Sequence, residues 1–555
     1  MVKFRILNKG HVLILYVILL QSLVWGGVEC RKKQSTKEAY VTLLYGDEFV
    51  LGVRVLGKSI RDSGSKNDMV VLVSDGVSDF AISLLQADGW IVEMISLLEN
   101  PNQVRPTRFW GVYTKLKIFN MTNYKKVVYL DADTIVIQNI DDLFKCGKFC
   151  ANLKHSERLN SGVLVVEPSE ALFNDMVKKI KTLPSYTGGD QGFLNSYYVG
   201  FANAHLFESN LSPEEFKSRP TPKMERLSTL YNADVGLYML ANKWMVDEKK
   251  LRVIHYTLGP LKPWDWWTAW LVKPVDLWQD IRRNVEESLP GTGGGRNPGD
   301  ELWVKSLFVI PILGLIFIFY RIFLQASSLP GSLCGTSFCD RMRHLGYRLR
   351  TGIVLPYTAV SPSAAMNSNL QLYSGMLSKV PWFLGGMSIA ICLLTFVTSL
   401  CLGLLIVPRQ VLPWTGLLLM YEWTFTIFFI LFGLYLRSVH RWGNSKSFQA
   451  ALYSSDHESL DYNIGKGHQR LASSYDAAML HYGFGLIVLA VAVPSLPFLL
   501  GVTALFVRLG LMVIGGIVLA AFMAYAAEHL AIQSFLRGLE DRDARPSFHC
   551  NFKAA

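Results

Sequence analysis

The stretch Lys126-Val-Val-Tyr-Leu-Asp131-Ala-Asp133 decides how the front part of this 555-residue chain is interpreted. An apolar run suited to a buried β-strand leads directly into two carboxylates spaced two residues apart. Residues two apart on an extended chain point the same way, so Asp131 and Asp133 can face one hard divalent cation. A second Asp-x-Asp pair, Asp541 and Asp543, has no strand before it and is interpreted as a solvated surface. The position at a strand end makes the first pair a candidate metal site.

Outward from this stretch, β-rich apolar runs alternate with helix-like segments. The predicted strands are 39–44, 69–74, 90–95, 127–130 and 162–166, and the clearest helical segments are 49–63 and 77–88. Such alternation predicts a mostly parallel sheet covered by helices. Ligands bind such sheets beyond the carboxyl ends of the strands. The front part is therefore predicted to be an α/β domain with its site next to Asp131.

Other polar motifs lie in segments that follow or precede ordered elements. His255 follows an apolar run and precedes a Gly/Pro-rich segment that contains Lys262, and imidazole is a common ligand of transition metals. Asn160-Ser-Gly162 and Gly188-Gly-Asp190-Gln191 offer the donors and acceptors that sugar hydroxyls need. Taken singly, the Asn160 and Gly188 motifs also fit ordinary turn chemistry, His255 fits a structural role, and Lys115 fits a solvated helix surface.

The second half of the chain is strongly apolar. The whole chain has 50 % hydrophobic and only 18 % charged residues, and 382–407, 481–507 and 509–527 contain no charge. The segment 411–436 contains only Glu422, and the shorter run 306–320 is flanked by basic residues. A bilayer core requires about 20 apolar residues per helix. We expect an all-α, polytopic membrane domain of about five spans, with the last break near Pro494–Pro497 or near Arg508.

The predicted domain map follows from these runs. Residues 1–30 are a signal peptide or signal anchor, 31–286 the front domain, 287–302 a Gly-rich linker, 303–536 the membrane domain and 537–555 a polar tail. Basic residues concentrate in the loops 325–381 and 437–480, which are predicted to be cytosolic. The front domain and the 408–413 turn would then be luminal. The same loops account for the net charge of +11, so no nucleic-acid partner is expected.

Cysteine and tryptophan positions add two expectations. Cys146 and Cys150 can form a local disulfide if the front domain is luminal. Trp264, Trp266, Trp267 and Trp270 cluster before the linker, where they can stack on a sugar or, as we slightly prefer, lie at the membrane interface.

Taken together, the motifs resemble glycosyltransferase family 8, the glycogenin-like retaining enzymes. The matching segments occur in one order over residues 39–265: Val41-Thr-Leu43, Thr114-Lys115-Leu116, Tyr129-Leu-Asp131-Ala-Asp133, Asn160-Ser-Gly162, Gly189-Asp190-Gln191-Gly192, Tyr231-Asn232 and His255 with Gly259 and Lys262. The resemblance implies a GT-A fold, which has a Rossmann-like sheet and agrees with the alternation of strands and helices.

The resemblance also implies roles for individual positions. It assigns Mn²⁺ to Asp131, Asp133 and His255, where the ion bridges the diphosphate of a UDP-sugar. The implied catalytic residues are Lys115, Asp190 and Gln191. The residues implied to contact the nucleotide, the diphosphate or the sugar are Leu43, Tyr45, Phe49, Asp131, Ala132, Asp133, Asn160, Ser161, Gly162, Gly188, Gly189, Asp190, Gln191, His255, Gly259 and Lys262.

Within the family, the chain is most similar to the plant branch of glycogenin-like starch initiation proteins, which includes a transferase acting on inositol phosphorylceramide. This likeness implies UDP-glucuronic acid as donor, a membrane sphingolipid as acceptor and a Golgi membrane location with a luminal catalytic domain. Arg105 and Arg108 are candidates for binding the donor carboxylate. Two alternatives are a self-glycosylating protein that uses Tyr231 or Tyr238, and a transporter or scaffold with an inactive transferase domain.

Overall fold

The computed structural model describes residues 38–100, 111–154, 157–210, 214, 218–257, 259, 261–288, 298–327, 380–453 and 468–543. The predicted signal or anchor segment, Arg105 and Arg108, and most of the predicted linker and of the loop 325–381 lie outside these residues. The predicted polar tail is helical as far as Asp543, and its remainder also lies outside them.

An eight-stranded mixed sheet forms the centre of the front domain, in the order β3-β2-β1-β4-β7-β6-β9-β8. Strands β3, β2, β1 and β4 run parallel, whereas β7 is antiparallel to both β4 and β6. All five predicted strands are present, which confirms the α/β prediction. The strands are β1 (Glu38–Leu44), β2 (Asp68–Val73), β3 (Ile91–Met94), β4 (Lys126–Leu130), β6 (Phe149–Leu153), β7 (Leu159–Val166), β8 (His205–Leu206) and β9 (Met224–Leu227).

Both faces of this sheet are buried, because alternate residues of each strand enter different apolar cores. Tyr40 and Val128 pack on one face with helices α1 (Val50–Asp62) and α2 (Asp79–Ala87). Val41 and Val127 pack on the other face with a 3₁₀ helix at Val112–Asn120 and with helices α3 (Glu170–Lys179) and α4 (Asp190–Tyr197). The strands therefore read as continuous apolar runs, as sheets buried on both faces do.

A small three-stranded sheet lies beside the carboxyl end of β4. Its strands are β5 (Thr134–Val136), β10 (Ala233–Asp234) and β11 (Val253–His255), in the order β10-β11-β5. Strand β5 begins directly after Asp133, and its Thr134 is in register with His255 of β11. This pairing brings together residues more than 100 positions apart. Helices α5 (Val235–Ala241), α6 (Thr268–Leu271) and α7 (Val275–Ser288) complete the front domain.

A helical bundle follows, comprising α8 (Pro298–Ser327), α9 (Leu384–Ile406), α10 (Pro413–Tyr453), α11 (His468–Leu499) and α12 (Leu505–Asp543). Within the described part of the chain, four segments are long and apolar enough to span a membrane: Leu384–Ile406, Pro413–Ser447, Ala478–Leu499 and Leu505–Leu539. The protein is therefore membrane-embedded, and we call this bundle the membrane domain. The predicted span 306–320 lies within α8 and is not among the four.

The last break in the membrane domain lies between the two predicted positions. Pro494 and Pro497 are inside α11, and Arg508 is inside α12. The chain turns at 500–504, where Gly501 has φ +64°. Glycine adopts this left-handed conformation without steric cost. The position of Gly501 therefore indicates the turn, whereas the positions of Pro494 and Pro497 do not.

Within the described residues, the membrane domain packs against the front domain through two turns between its helices and through α8, whose Val304 and Leu307 share an apolar cluster with Trp266. Asn242 Nδ2 donates to Thr503 Oγ1 (2.9 Å) in the 500–504 turn, and Trp270 Nε1 donates to Pro413 O (3.3 Å) at the start of α10. Trp266 is buried in the same interface, while Trp264 is buried against α1 and α7 inside the front domain. Three of the four clustered tryptophans, Trp266, Trp267 and Trp270, therefore lie where the two domains meet.

Candidate active site

The carboxylate pair lies where the sheet predicts a ligand site. Asp131 is the first residue after β4, and its backbone N–H donates to Gly162 O of β7 (2.9 Å). Asp133 is fixed by its carbonyl, which accepts from the Tyr256 N–H (2.9 Å). Each carboxylate is thus held by a neighbouring strand or strand end rather than by a free loop.

Asp131, Asp133 and His255 converge on one point. One ligand atom from each lies within 4.8 Å of the other two. His255 Nε2 is 3.3 Å from Asp133 Oδ1 and 3.8 Å from Asp131 Oδ2. Its Nδ1 lies 3.0 Å from Asn232 Oδ1, so a proton on Nδ1 leaves Nε2 free as a ligand atom. Two carboxylates and one imidazole suit a divalent ion such as Mn²⁺.

Lys115 lies beneath this cluster and is almost fully buried. Its Nζ is 3.0 Å from Asp131 Oδ1 and 3.2 Å from Asp190 Oδ2. It also donates to Ser161 O (3.1 Å). Burial alone would lower the pKa of Lys115, but the two carboxylates outweigh it and raise that pKa above its ordinary value. Lys115 is therefore a fixed positive charge. Its burial contradicts the solvated-surface alternative, and its role in the site stays a prediction.

Lys262 closes the other side of the cluster. Its Nζ donates to Asp133 Oδ2 at 2.8 Å. Burial would raise the pKa of Asp133, but His255 and Lys262 reverse this and hold that pKa below its ordinary range. Across the cluster, three carboxylates face two lysines. A divalent cation added to them leaves a net positive site, which suits a diphosphate.

A hydrogen-bonded row of amides borders the cluster on the side of β7. Asn160 Nδ2 donates to Gln191 Oε1 (2.9 Å), and Gln191 Nε2 donates to Tyr186 OH (3.0 Å). Asn160 Oδ1 accepts from Asn232 Nδ2 (2.8 Å). Because Asp190 and Gln191 begin α4, that helix places them beside Lys115 and Asn160 respectively. Amide groups of this kind offer both the donors and the acceptors that sugar hydroxyls need.

Glycines at the site permit close approach or unusual backbone conformations. A Cβ on Gly162 would collide with the His255 ring, 2.6 Å from its Nδ1. Gly188 and Gly259 have φ values of +71° and +63°, which side chains other than glycine rarely adopt. Gly189 is the N-terminal capping residue of α4. Ala132 lies between the two carboxylates, and its carbonyl faces Gly52 of α1.

The residues predicted to contact the nucleotide divide into two groups. Tyr45 and Phe49 lie beyond the end of β1 with ring centroids 5.7 Å apart, and Phe49 meets Trp264 edge-on at 5.8 Å. Tyr45 is partly exposed, and its electrostatic neighbours include Lys115 and Asp131. Leu43 is instead buried in the apolar core under the sheet. Tyr45 and Phe49 thus border the cluster. Leu43 does not, because its side chain packs β1 onto the apolar core.

Sequence reasoning did not assign several residues that the structure places here. Asn232 lies in the matching motifs but received no role, and it orients both His255 and Asn160. Lys154 Nζ is 2.9 Å from Asp234 Oδ2, and the other oxygen of Asp234 accepts from Thr257, two residues after His255. No local signal marks Lys154, because its partner is 80 positions away. Asp234 had a signal, since it precedes a short helix as an N-cap.

Comparison with known proteins identifies the family. A model of "Glycosyl transferase family 8" matches residues 40–148. Inositol phosphorylceramide glucuronosyltransferase 1 of Arabidopsis thaliana is 65 % identical over 510 residues, covering 92 % of this chain and 93 % of the relative. The chain belongs to glycosyltransferase family 8. Its eight-stranded sheet with the carboxylate pair after β4 is therefore the GT-A-like fold that the motifs implied, and the protein is a glycosyltransferase.

More distant relatives match less than half of this chain. Glycogenin-1 of Mus musculus is 31 % identical over 239 residues, covering 42 % of this chain and 66 % of the relative. Among solved structures, the galactosyltransferase LgtC with donor and acceptor sugar analogues is 18 % identical, with a TM-score of 0.32, and the match covers 44 % of this chain and 94 % of LgtC.

Proposed function

We propose that this protein transfers glucuronic acid from UDP-glucuronic acid to inositol phosphorylceramide, with retention of configuration at the sugar. The observation that carries the proposal is the cluster of Asp131, Asp133 and His255 flanked by two lysines. The donor and the acceptor follow from the relative that is 65 % identical over nearly the whole chain.

The ligand set fits Mn²⁺, which would be held by Asp131, Asp133 and His255 Nε2. When bound, the ion supplies Lewis-acid stabilisation of the diphosphate. The chain's own residues do the remaining work. Lys262, at the outer edge of the cluster, is placed to bind phosphate oxygens. Lys262 would therefore stabilise the negative charge that grows on the UDP leaving group. Because this cation is already in position, the stabilisation requires no reorganisation during the reaction.

On the sugar side, Lys115 and the amide row orient the donor. Lys115 Nζ lies 3.2 Å from Asp190 Oδ2, and this ion pair fixes the position of the carboxylate. Gln191 is held at both ends of its amide, by Asn160 and by Tyr186. Both groups are therefore held in fixed positions beside the cluster. We assign Asp190 and Gln191 to stabilising the sugar as its bond to UDP lengthens.

The orientation of the protein follows from the charges and lengths of its helices. The front domain contacts the membrane domain at the 500–504 turn and at the start of α10. Arg437 is 24 residues beyond Pro413, about 36 Å along a helix that rises 1.5 Å per residue. This distance exceeds the hydrocarbon core of a bilayer. Arg437 thus lies at the opposite membrane face from the front domain. Because basic residues mark the cytosolic face, we propose that the front domain is luminal.

The location that we propose for the protein is the Golgi membrane, after the resemblance to the plant branch of the family. The luminal position of the front domain has independent chemical support. Cys146 and Cys150 form the predicted disulfide, and disulfides persist in oxidising compartments. The asparagines of both N-glycosylation sequons, Asn120 and Asn210, are exposed.

The two alternatives fit the structure less well. Tyr231 is 4 % exposed and its hydroxyl donates to Asp142 (2.6 Å), so it is not presented as an acceptor of glucose. An inactive scaffold has no need for an intact set of metal ligands flanked by two lysines. The membrane domain explains a lipid acceptor better than a soluble one, because it holds the front domain at the bilayer surface.

The test is a transfer assay on microsomes that contain the full-length protein, Mn²⁺ and labelled UDP-glucuronic acid or UDP-glucose, followed by lipid extraction. We expect label from UDP-glucuronic acid in a polar sphingolipid and none with Asp131→Ala. Label from UDP-glucose alone, or label that stays on the protein, would overturn the assignment of donor or acceptor. Membrane integration of the variant controls for folding.

A further inference from the structure

The turn that joins α9 to α10, residues 407–412, is packed into the front domain. Trp266 N donates to Arg409 O (3.0 Å), and Arg282 Nη2 donates to Gln410 O (2.6 Å). Gln410 Nε2 in turn donates to Glu48 O (2.7 Å), next to Phe49. We refer to these six residues as the 407–412 turn.

Arg409 also forms an ion pair with a buried carboxylate of the front domain. Its Nη2 is 2.8 Å from Asp265 Oδ2. The Asp265 side chain is 1 % exposed, whereas that of Arg409 is 62 % exposed. A buried carboxylate requires a cation or several donors. The other donor to Asp265 is the backbone N–H of Lys262, at 3.3 Å.

This pair acts on the segment that carries Lys262. Asp265 receives the Lys262 N–H, and Thr268 Oγ1 donates to both Lys262 O and Asp265 O. The Lys262 backbone is thereby fixed at both its N–H and its carbonyl. Its side chain then reaches Asp133 of the metal cluster (2.8 Å). Arg409, in the membrane domain, lies at the outer end of this chain of contacts.

The same turn contacts both borders of the cluster. Gln410 contacts the backbone just before Phe49, whose ring meets Trp264 edge-on, two residues after Lys262. The aromatic border and the lysine border are therefore supported by adjacent residues of a single turn. A front domain separated from the membrane domain lacks both supports.

We propose that the 407–412 turn is part of the donor site, and that Arg409 is a positioning residue which sets Lys262 for the donor diphosphate through Asp265. This inference rests on the proposed use of a UDP-sugar. A single membrane anchor would be enough to hold the front domain at a membrane. A role of the 407–412 turn in the donor site explains why the front domain is also packed against several helices and a buried turn.

The test compares variants of the full-length protein in microsomes. Loss of one hydrogen bond to a charged group weakens binding by about tenfold or more. If Arg409→Gln displaces Lys262 from the donor diphosphate, the KM for UDP-glucuronic acid should therefore rise by about tenfold. The acceptor KM should stay unchanged and kcat should change little. Arg409→Lys restores a cation and should recover most of the lost affinity. Arg283→Gln is the matched control, because Arg283 forms an exposed ion pair with Asp280 on α7.

A double variant tests the route through Asp265. Asp265→Asn removes the buried charge that Arg409 neutralises, so adding Arg409→Gln should then raise the donor KM by less than threefold, a loss of coupling as in other contacting pairs. Binding of UDP with Mn²⁺ to the detergent-solubilised chain, measured by calorimetry, should weaken in parallel with the donor KM.

Three results would overturn the proposal: an unchanged donor KM in Arg409→Gln, an equal rise in donor and acceptor KM, or full additivity in the double variant. Failure of the proposed function is distinguishable. In that case the wild-type protein shows no transfer from UDP-glucuronic acid, whereas failure of this inference leaves wild-type transfer intact.

Discussion

The front domain and the membrane domain follow opposite rules for the same types of side chain. In the front domain, charged groups such as Lys115 and Asp190 are buried but paired, and the apolar residues fill two cores. In the membrane domain, large apolar residues such as Leu405 and Val397 are exposed, and few charges occur between the ends of the helices. The difference reflects the solvent around each part. In water, exposed polar groups and buried apolar groups lower the free energy of the folded chain. In lipid, apolar side chains can be exposed without this cost.

The two Asp-x-Asp motifs provide the largest expected contrast. Asp133→Ala removes a ligand from the cluster and leaves Lys262 without its carboxylate, so we expect transfer to fall by about a thousandfold or more. Asp541→Asn, in the second motif near the end of α12, should leave transfer unchanged. Initial rates with saturating UDP-glucuronic acid measure both. Equal losses in the two variants would remove the distinction between the motifs.

The same valine-to-arginine change should have different effects in the two domains. Val397 is 54 % exposed near the middle of α9, and an arginine at the centre of a spanning helix costs about 3 kcal/mol of insertion free energy. Val397→Arg should therefore reduce the membrane-integrated fraction in an alkaline carbonate extraction. Val199→Arg, at an 81 % exposed position of the front domain, should not. Normal integration of both variants would place Val397 in a watery environment.

A glycine-to-alanine pair gives the smallest contrast. Gly162→Ala pushes a methyl group into the His255 ring and should lower the affinity for Mn²⁺ by about 10- to 100-fold, as displaced neighbours of metal ligands do. Gly433→Ala, in α10, meets no atom within 4 Å of the new Cβ and should be neutral. The Mn²⁺ dependence of the transfer rate measures both. An unchanged Mn²⁺ requirement in Gly162→Ala would argue against His255 as a ligand.

Local patterns carried the prediction of the fold. Apolar runs such as 127–130 and 162–166 became β4 and β7 because burial on both faces requires continuous apolar sequence. The four spanning helices coincide with the segments that carry one charge or none. The last turn lies at Gly501, between the two predicted positions near Pro494–Pro497 and near Arg508. Pro494 is tolerated inside α11 because the carbonyl of Ala490, four residues earlier, accepts a hydrogen bond from Tyr421 OH (2.8 Å) in place of the missing N–H, and a glycine with positive φ follows the helix.

The candidate site was only partly accessible from sequence. Asp131 and Asp133 are adjacent on one strand end, so their convergence follows from the period of an extended chain. The contacts of Lys115 with Asp190, and of His255 with Asn232, join positions far apart in the chain. Their motifs could be recognised by resemblance, but no spacing rule predicts their geometry. Roles in binding donor or metal stay predictions for all of these residues.

The sequence by itself determined that an α/β domain precedes membrane-spanning helices, because strand and helix periods and long apolar runs are local properties of the chain. The tertiary structure alone decided that β5 and β11 bring His255 to the carboxylates. It also decided that the 407–412 turn reaches Asp265, 144 positions earlier in the chain. Such contacts depend on how whole elements pack, and packing is set by all the surfaces that must be buried together.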